Sequence, residues 1–208
     1  MEIHRPHAAK TWTEFFIELA TIVAGILIAL LLEQVVEHVR WAHAVALAQG
    51  SLRKEIGANN AYFAYRGAVA GCVDRHIEET GALIEKVGAQ QRVGGVTGVV
   101  LKIGDRLEDG EWQSERSAQT LPHFPRSELG ELNSYYAQLT DLREWLFKEL
   151  DAWTALGVLE HGPKTMSPAD IAAMRLNLEI ARRMEYLISL NAREQLDRGR
   201  RLDRKSVV

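Results

Sequence analysis

Three residues with reactive or metal-binding side chains recur at one-turn spacing in the middle of the chain. Cys72, His76 and Glu79 would share one face of a helix, because residues three and four positions apart are neighbours on a helix surface. A thiol, an imidazole and a carboxylate at that spacing suit a soft metal ion or an activated thiolate. The simpler interpretation, which we favour, is a small buried cysteine in a helix whose His76 and Glu79 face solvent or pair with Arg75. We therefore predict no metal and no cofactor, and we keep Cys72 as a candidate reactive thiol.

A second weak pattern for catalysis is Ser51-Leu52-Arg53-Lys54, in which a lysine one turn away would activate a serine nucleophile. The companion S-D-N and K-T-G elements are missing from the sequence. The phosphate loop, the dinucleotide fingerprint, the zinc helix and the nucleophile elbow are missing too. No glutamate stands three residues before a histidine, as a di-iron site in a helical bundle would require. The sequence predicts a protein that is not an enzyme.

The composition is that of a folded chain with little net charge. Among 208 residues, 25 Lys+Arg stand against 28 Asp+Glu for a formal charge of −3, and 47% of the residues are hydrophobic. This balance argues against a nucleic-acid binder that relies on overall positive charge, and the hydrophobic content argues against disorder. The single cysteine excludes an intramolecular disulfide and a multi-cysteine metal site.

An apolar segment near the N-terminus differs from this average composition. Residues 19–32 carry no charge, and the apolar stretch runs from Phe15 to Val36 if the glutamates near its ends are included. At about 1.5 Å per residue the longer stretch covers about 33 Å, which is enough to cross a hydrocarbon core of about 30 Å. Trp12 and Trp41 lie about 43 Å apart along such a helix, a spacing that suits an aromatic residue at each membrane interface.

The apolar segment predicts a transmembrane anchor helix at residues 12–41, preceded by a short tail at residues 1–11. A secretory signal peptide and the buried helix of a soluble domain are the two other interpretations. The nearest A-x-A tripeptide after the apolar run, Ala42-His43-Ala44, lies well beyond that run, which disfavours cleavage. A buried helix would need its apolar surface covered on every side.

The charges that flank the anchor predict its orientation. Arg5, Lys10 and the α-amino group precede it, whereas only Arg40 follows closely before Arg53 and Lys54. By the positive-inside rule the N-terminus lies in the cytoplasm, so the rest of the chain lies outside the cytoplasmic membrane.

One face of the anchor carries small residues. Thr21, Gly25 and Ala29 recur every four residues, the spacing that allows two membrane helices to approach closely, and Glu18 and Glu33 lie close to the same face. We interpret these five residues, the anchor seam, as a docking surface for a second copy of the chain or for another membrane subunit. The alternatives are a proton-handling carboxylate at Glu18, and small residues of an ordinary membrane helix with Glu18 reaching the headgroups.

Beyond the anchor, residues 42–208 predict a bundle of three to four long helices, so the predicted fold class is all-α. Good helix formers continue the anchor helix toward Gly57. Asn59-Asn60 indicate a bend or the start of the next helix, which ends before a glycine-rich irregular connection at about residues 88–110.

Three further helices are predicted after this connection. A short one lies around Glu111–Thr120, and a long one begins near Ser127. The last begins at Ser167-Pro168-Ala169-Asp170, which combines a cap, a proline at the first helical position and an acid in the first turn. The residues predicted to face the core are Leu132, Tyr136, Leu139, Leu142, Leu146, Leu150 and Trp153 in the first long helix and Ile171, Met174, Leu178, Ala181, Met184, Ile188, Ala192 and Leu196 in the second.

Two stretches carry a resemblance to a family of small bacterial proteins. They are the anchor sequence, Glu18-Leu19 through Ile22-Val23-Ala24-Gly25-Ile26-Leu27-Ile28-Ala29-Leu30, and the later Cys72-Val73-Asp74-Arg75. Over about its first 85 residues the chain resembles single-pass, membrane-anchored helical proteins with no assigned activity. The resemblance implies an architecture and no functional residues.

The sequence as a whole predicts a membrane-anchored accessory or scaffold protein of the bacterial cytoplasmic (inner) membrane. Its expected partners are the lipid bilayer and either a second copy, which would make a homo-oligomer, or another membrane subunit, and no nucleic acid. The alternative is a sensory or small-ligand-binding helical bundle that signals through the anchor.

Overall fold

The computed structural model describes residues 11–90, 96–102, 107–161 and 166–205. These residues form four α-helices and two short 3₁₀ turns, with no strand among them. The helices are α1 at Trp12–Gly88, α2 at Gly110–Ser117, α3 at Arg126–Leu156 and α4 at Pro168–Lys205, and the turns are Leu121–His123 and Gly157–His161. The prediction of an all-α fold is confirmed.

The chain divides into two compact units, Met1–Leu47 and Ala48–Val208. The first unit contains the predicted anchor. The second unit, from here the helical body, contains the later part of α1 together with α2, α3 and α4. Apart from Thr11, the predicted N-terminal tail lies outside the described residues.

Helix α1 is one helix from Trp12 to Gly88, so the prediction that a new helix starts at Asn59-Asn60 is wrong. Asn59 does not cap a new helix. Its Oδ1 accepts a hydrogen bond from the backbone N–H of Glu108 and its Nδ2 donates to the Glu108 carbonyl, both at 2.8 Å. Ile56 and Phe63 are buried on either side. Burying each contributes roughly 1.5–3 kcal/mol, which exceeds the roughly 1 kcal/mol that Gly57 costs inside a helix.

The glycine-rich connection after α1 is irregular where it is described. Helix α1 ends at Gly88. Residues 89–90, 96–102 and 107–109 form turns, bends and irregular backbone, while residues 91–95 and 103–106 lie outside the described part of the chain.

The core of the helical body lies between α1, α3 and α4. Each buried aliphatic or aromatic side chain there contributes roughly 1.5–3 kcal/mol, so packing rather than helix propensity holds the helices together. The main cluster contains Val73, Ile77 and Ile84 from α1, Ala152, Trp153 and Leu156 from α3, Ile171, Met174, Leu178 and Ala181 from α4, and Val99 and Leu159 from the connections.

The predicted core faces of α3 and α4 are confirmed with three exceptions. Leu146 and Leu196 are half-buried, and Leu150 is 38% exposed. The neighbouring Glu149 is buried instead. A carboxylate therefore occupies a core position that the apolar pattern assigns to a leucine.

Helix α4 begins with the predicted cap. The Ser167 hydroxyl accepts a hydrogen bond from the Asp170 backbone N–H at 3.2 Å, and the Asp170 carboxylate accepts one from the Ser167 N–H at 2.9 Å. This reciprocal pair satisfies two N–H groups that the first turn leaves free. The backbone N–H and the hydroxyl of Ser167 hold the pKa of Asp170 below its ordinary value.

A buried carboxylate of α1 holds the first turn of α2. Glu55 accepts hydrogen bonds from the backbone N–H of Glu111 at 2.7 Å, from that of Trp112 at 3.4 Å and from the Tyr136 hydroxyl at 2.7 Å. The rings of Trp112 and Tyr136 stack with their centroids 4.7 Å apart. Because a helix N-terminus carries a partial positive charge, a carboxylate stabilises it. Glu55 thus joins α1, α2 and α3.

Replacing Glu55 with alanine is expected to lower the free energy of unfolding by about 3 kcal/mol, since two backbone N–H groups and a buried hydroxyl lose their acceptor. Chemical denaturation of the full chain in detergent, followed by circular dichroism, measures this change. The matched control is E79A, at an exposed glutamate of the same helix, which should change the value by less than about 0.5 kcal/mol. Equal losses in the two variants would contradict the assigned role of Glu55.

Candidate functional site

The anchor part of α1 presents an exposed apolar surface. Every residue from 11 to 40 is exposed, and Trp12 is 78% exposed. Among the described residues, α1 is the one helix that is long and apolar enough to cross a membrane, judged by length and composition alone. The predicted anchor, residues 12–41, lies wholly within this helix.

The anchor seam lies on one side of α1. At 3.6 residues per turn its five members fall within about 120° of the helix circumference. The Thr21 hydroxyl donates to the Ile17 carbonyl at 2.8 Å, so this polar group is satisfied inside the helix. Apart from the adjoining turns of α1 itself, no described residue lies within 4 Å of the point where a Cβ on Gly25 would stand. The members are Glu18, Thr21, Gly25, Ala29 and Glu33.

The two tryptophans predicted to mark the interfaces both belong to α1. The Trp12 ring packs edge to face on Phe15 with centroids 6.3 Å apart. The Trp41 indole N–H donates to Glu37 at 3.3 Å, and the Arg40 guanidinium lies over the Trp41 ring at 5.1 Å from its centroid. Their role at a membrane interface stays a prediction.

The Cys72, His76 and Glu79 group does not assemble into a site. His76 Nε2 lies 3.0 Å from the Val99 carbonyl oxygen, and its ring packs against Trp153 with centroids 5.1 Å apart. In the described part of the chain, no group of three or more His, Cys, Asp or Glu side chains could hold a metal ion. Cys72 is exposed rather than buried, so the interpretation as a buried cysteine is wrong. The adjacent Val73 occupies the inward position and turns the thiol outward.

A guanidinium and two carboxylates meet in the core of the helical body, where α1, α3 and α4 pack together. Arg66 Nη2 donates to both oxygens of Glu149, at 2.9 and 3.0 Å, and to Oε2 of Glu185. Arg66 is 0% exposed, and each glutamate is 3% exposed. We call these three residues the buried ion cluster. Each comes from a different long helix, so the cluster joins all three.

Other polar side chains surround the buried ion cluster. The Ser189 hydroxyl donates to Oε1 of Glu185. Burial raises the pKa of the nearby Tyr62 to about 12. The Tyr62 hydroxyl and the Nε and Nη1 atoms of Arg66 have no hydrogen-bond partner in the part of the chain that the structure describes. The cluster is therefore deeply buried and only partly satisfied.

Burial raises the pKa of both glutamates in the cluster, because the core disfavours the charged form of a carboxyl group. The attraction of Arg66 opposes this effect at each glutamate but does not outweigh it. Chemically, the arrangement can hold and release a proton inside the body.

The sequence contains a local signal for the glutamates of this cluster. Glu149 stands three residues after Leu146, and Glu185 stands four residues after Ala181, so both occupy positions of the apolar faces. A charged residue within an apolar face is a candidate buried charge. Their pairing with Arg66 joins three distant helices, and local spacing carries no information about it.

Replacing Arg66 with methionine is expected to lower the free energy of unfolding by about 3–5 kcal/mol, because both buried carboxyls lose their cation. Denaturant unfolding of the full chain measures the effect. R182M is the matched control, since Arg182 pairs with Glu179 at the surface, and it should cost less than about 1 kcal/mol. An R66M variant as stable as R182M would show that the ion pairs contribute nothing.

No family model, curated protein or solved structure matches this chain. Its function therefore has to follow from its own sequence and geometry. Two features bear on it: the exposed apolar surface of the anchor, and the charged group enclosed by the three long helices.

Proposed function

We propose that this protein is a single-pass accessory or scaffold protein of the bacterial cytoplasmic (inner) membrane, which acts by protein–protein association. The observation that carries the proposal is the exposed apolar surface of α1 between residues 12 and 40. Apolar surface in water costs roughly 25 cal/mol per Å², and a bilayer removes this cost. A helix is also suited to lipid, because its backbone hydrogen bonds are made internally.

The dimensions of α1 support a transmembrane placement. Trp12 and Trp41 are about 43 Å apart along the helix, close to the thickness of a bilayer with its headgroups. Tryptophan is enriched at that depth because its ring is apolar and its N–H is polar. In this proposal the helical body is a bundle of three long helices, supported by the core that α1, α3 and α4 share.

Association is proposed to occur through the anchor seam. In a bilayer, lipid tails are as apolar as leucine, so helices associate where small residues permit close packing. The open space at Gly25 is compatible with a second helix backbone at that point. The partner is either a second copy of the chain or the helix of another membrane subunit.

A sensory body that signals through the anchor is the second candidate function. The buried ion cluster favours it, because charges enclosed among three helices can make their packing depend on conditions. A scaffold needs no such group. The anchored scaffold remains the leading proposal because it requires only surfaces that the chain exposes.

The variant G25L is expected to weaken association of the full chain in detergent by about tenfold, equivalent to about 1.4 kcal/mol. Among the described residues beyond the adjoining turns of α1, none lies within 4 Å of a Cβ at this position, so a loss of association points to contact with another helix. Analytical ultracentrifugation measures self-association, and co-purification measures binding of another subunit.

The matched control for G25L is A20L. Ala20 is an exposed small residue about 140° around the same helix from Gly25, so leucine there adds the same bulk to the opposite face. A20L should associate as the natural chain does. If G25L also associates as the natural chain does, the anchor seam is not the docking surface.

The orientation can be tested with the chain's own thiol. Cys72 is exposed, and the sequence has no other cysteine. If the helical body lies outside the cytoplasmic membrane, a membrane-impermeant maleimide should label Cys72 in spheroplasts without lysis. In a C72S background, a cysteine introduced by A9C before the anchor should be labelled only after lysis. The reverse pattern would place the body in the cytoplasm.

A further inference from the structure

We propose that Glu149 and Glu185 share a single proton at neutral pH, while Arg66 balances the one negative charge that remains. The buried ion cluster is then a proton-binding site inside the helical body. This inference goes beyond association through the anchor, and it stands or fails independently of it.

The count of charges in the cluster supports one bound proton. Two ionised carboxylates and one guanidinium would leave a net negative charge among residues that are at most 3% exposed. Such an unpaired charge is expensive in a protein core. In the described part of the chain, no second cation contacts either glutamate. One proton makes the three groups neutral in sum.

The geometry around Arg66 also supports one bound proton. A guanidinium offers five N–H donors arranged as a fork, so two ionised carboxylates could occupy separate edges and stay apart. Here both glutamates accept hydrogen bonds from Nη2, while Nε and Nη1 have no partner among the described residues. Two full negative charges would repel each other in that arrangement. A carboxylic acid beside a carboxylate has no such repulsion.

Among the described residues, the other groups around the cluster add a negative charge and no second cation. On α1, Tyr62 and Tyr65 are phenols, and Asp74 contributes negative potential that adds to burial in raising the pKa of Glu185. On α4 the uncharged Ser189 hydroxyl donates to Glu185, and this hydrogen bond favours the ionised form of Glu185 without outweighing burial. Arg66 is thus the cation of the cluster.

Loss of the shared proton would leave an unbalanced charge where the three helices meet. Because the folded-state pKa of both carboxyls is raised, their contribution to stability is complete at low pH and is lost as the pH rises through the folded-state values. Carboxyls whose pKa is lowered, such as Glu85 and Asp109, have the opposite pH dependence, because their contribution to stability is lost as the pH falls.

Infrared difference spectroscopy of the full chain in detergent tests the proposal directly, because a protonated carboxyl has a C=O stretching band that a carboxylate lacks. We expect one such band at pH 7, and we expect it to disappear as the pH is raised. It should also disappear in E149Q and in E185Q, since the remaining glutamate then pairs with Arg66 one to one and ionises. E179Q, at an exposed glutamate of α4, should keep the band.

Each other outcome overturns the proposal. Absence of the band from the natural chain at pH 7 would mean that both glutamates are ionised. A band of half intensity in each single variant would mean that both glutamates are protonated. The spectrum of the natural chain alone shows whether a protonated carboxyl is present at pH 7, even if a variant fails to fold.

Thermal unfolding between pH 5 and pH 9 gives a second test. The midpoint for the natural chain should fall relative to that of E185Q by more than about 2 °C across this range. The unfolding midpoint of E179Q should change with pH as that of the natural chain does. If the unfolding midpoint of the natural chain changes with pH as that of E185Q does, the two glutamates do not share a proton. Neither result depends on association through the anchor.

Discussion

Helix α1 carries two different kinds of surface along one continuous set of backbone hydrogen bonds. Between residues 12 and 40 its whole circumference is exposed and largely apolar, whereas from Ala48 onward only one face is buried. A helix permits this change without a break, because its backbone is satisfied internally whichever side chains it carries. The rest of the structure depends on that second part, since α3 and α4 pack against its apolar face.

Three side chains at buried positions organise the helical body beyond its apolar packing. Glu55 holds the start of α2 against α1 and α3, while Arg66 joins α1 to both α3 and α4. Buried polar groups cost free energy unless they are paired, so each permits few alternative helix registers. The apolar core supplies most of the stability, and these groups specify which faces meet. The third, Asn59, fixes the backbone of Glu108 in the same way.

The sequence predicted features that depend on local spacing and failed where distant contacts decide. The all-α class, the end of α1 at Gly88, the Ser167 cap and most of the core faces follow from periodicity and capping chemistry. No new helix starts at Asn59, because a residue suited to capping instead binds a loop 49 positions away. The burial of Glu149 and the exposure of Cys72 likewise depend on which residues of other helices pack nearby.

The proposed function requires the first part of α1 to span a membrane. Alkaline carbonate extraction of membranes from cells that produce the full chain, followed by flotation, measures this. The protein should stay with the lipid fraction, and replacing Leu27 and Ile28 together with arginine should release it. Release of the natural chain into the soluble fraction would show that α1 does not span the membrane.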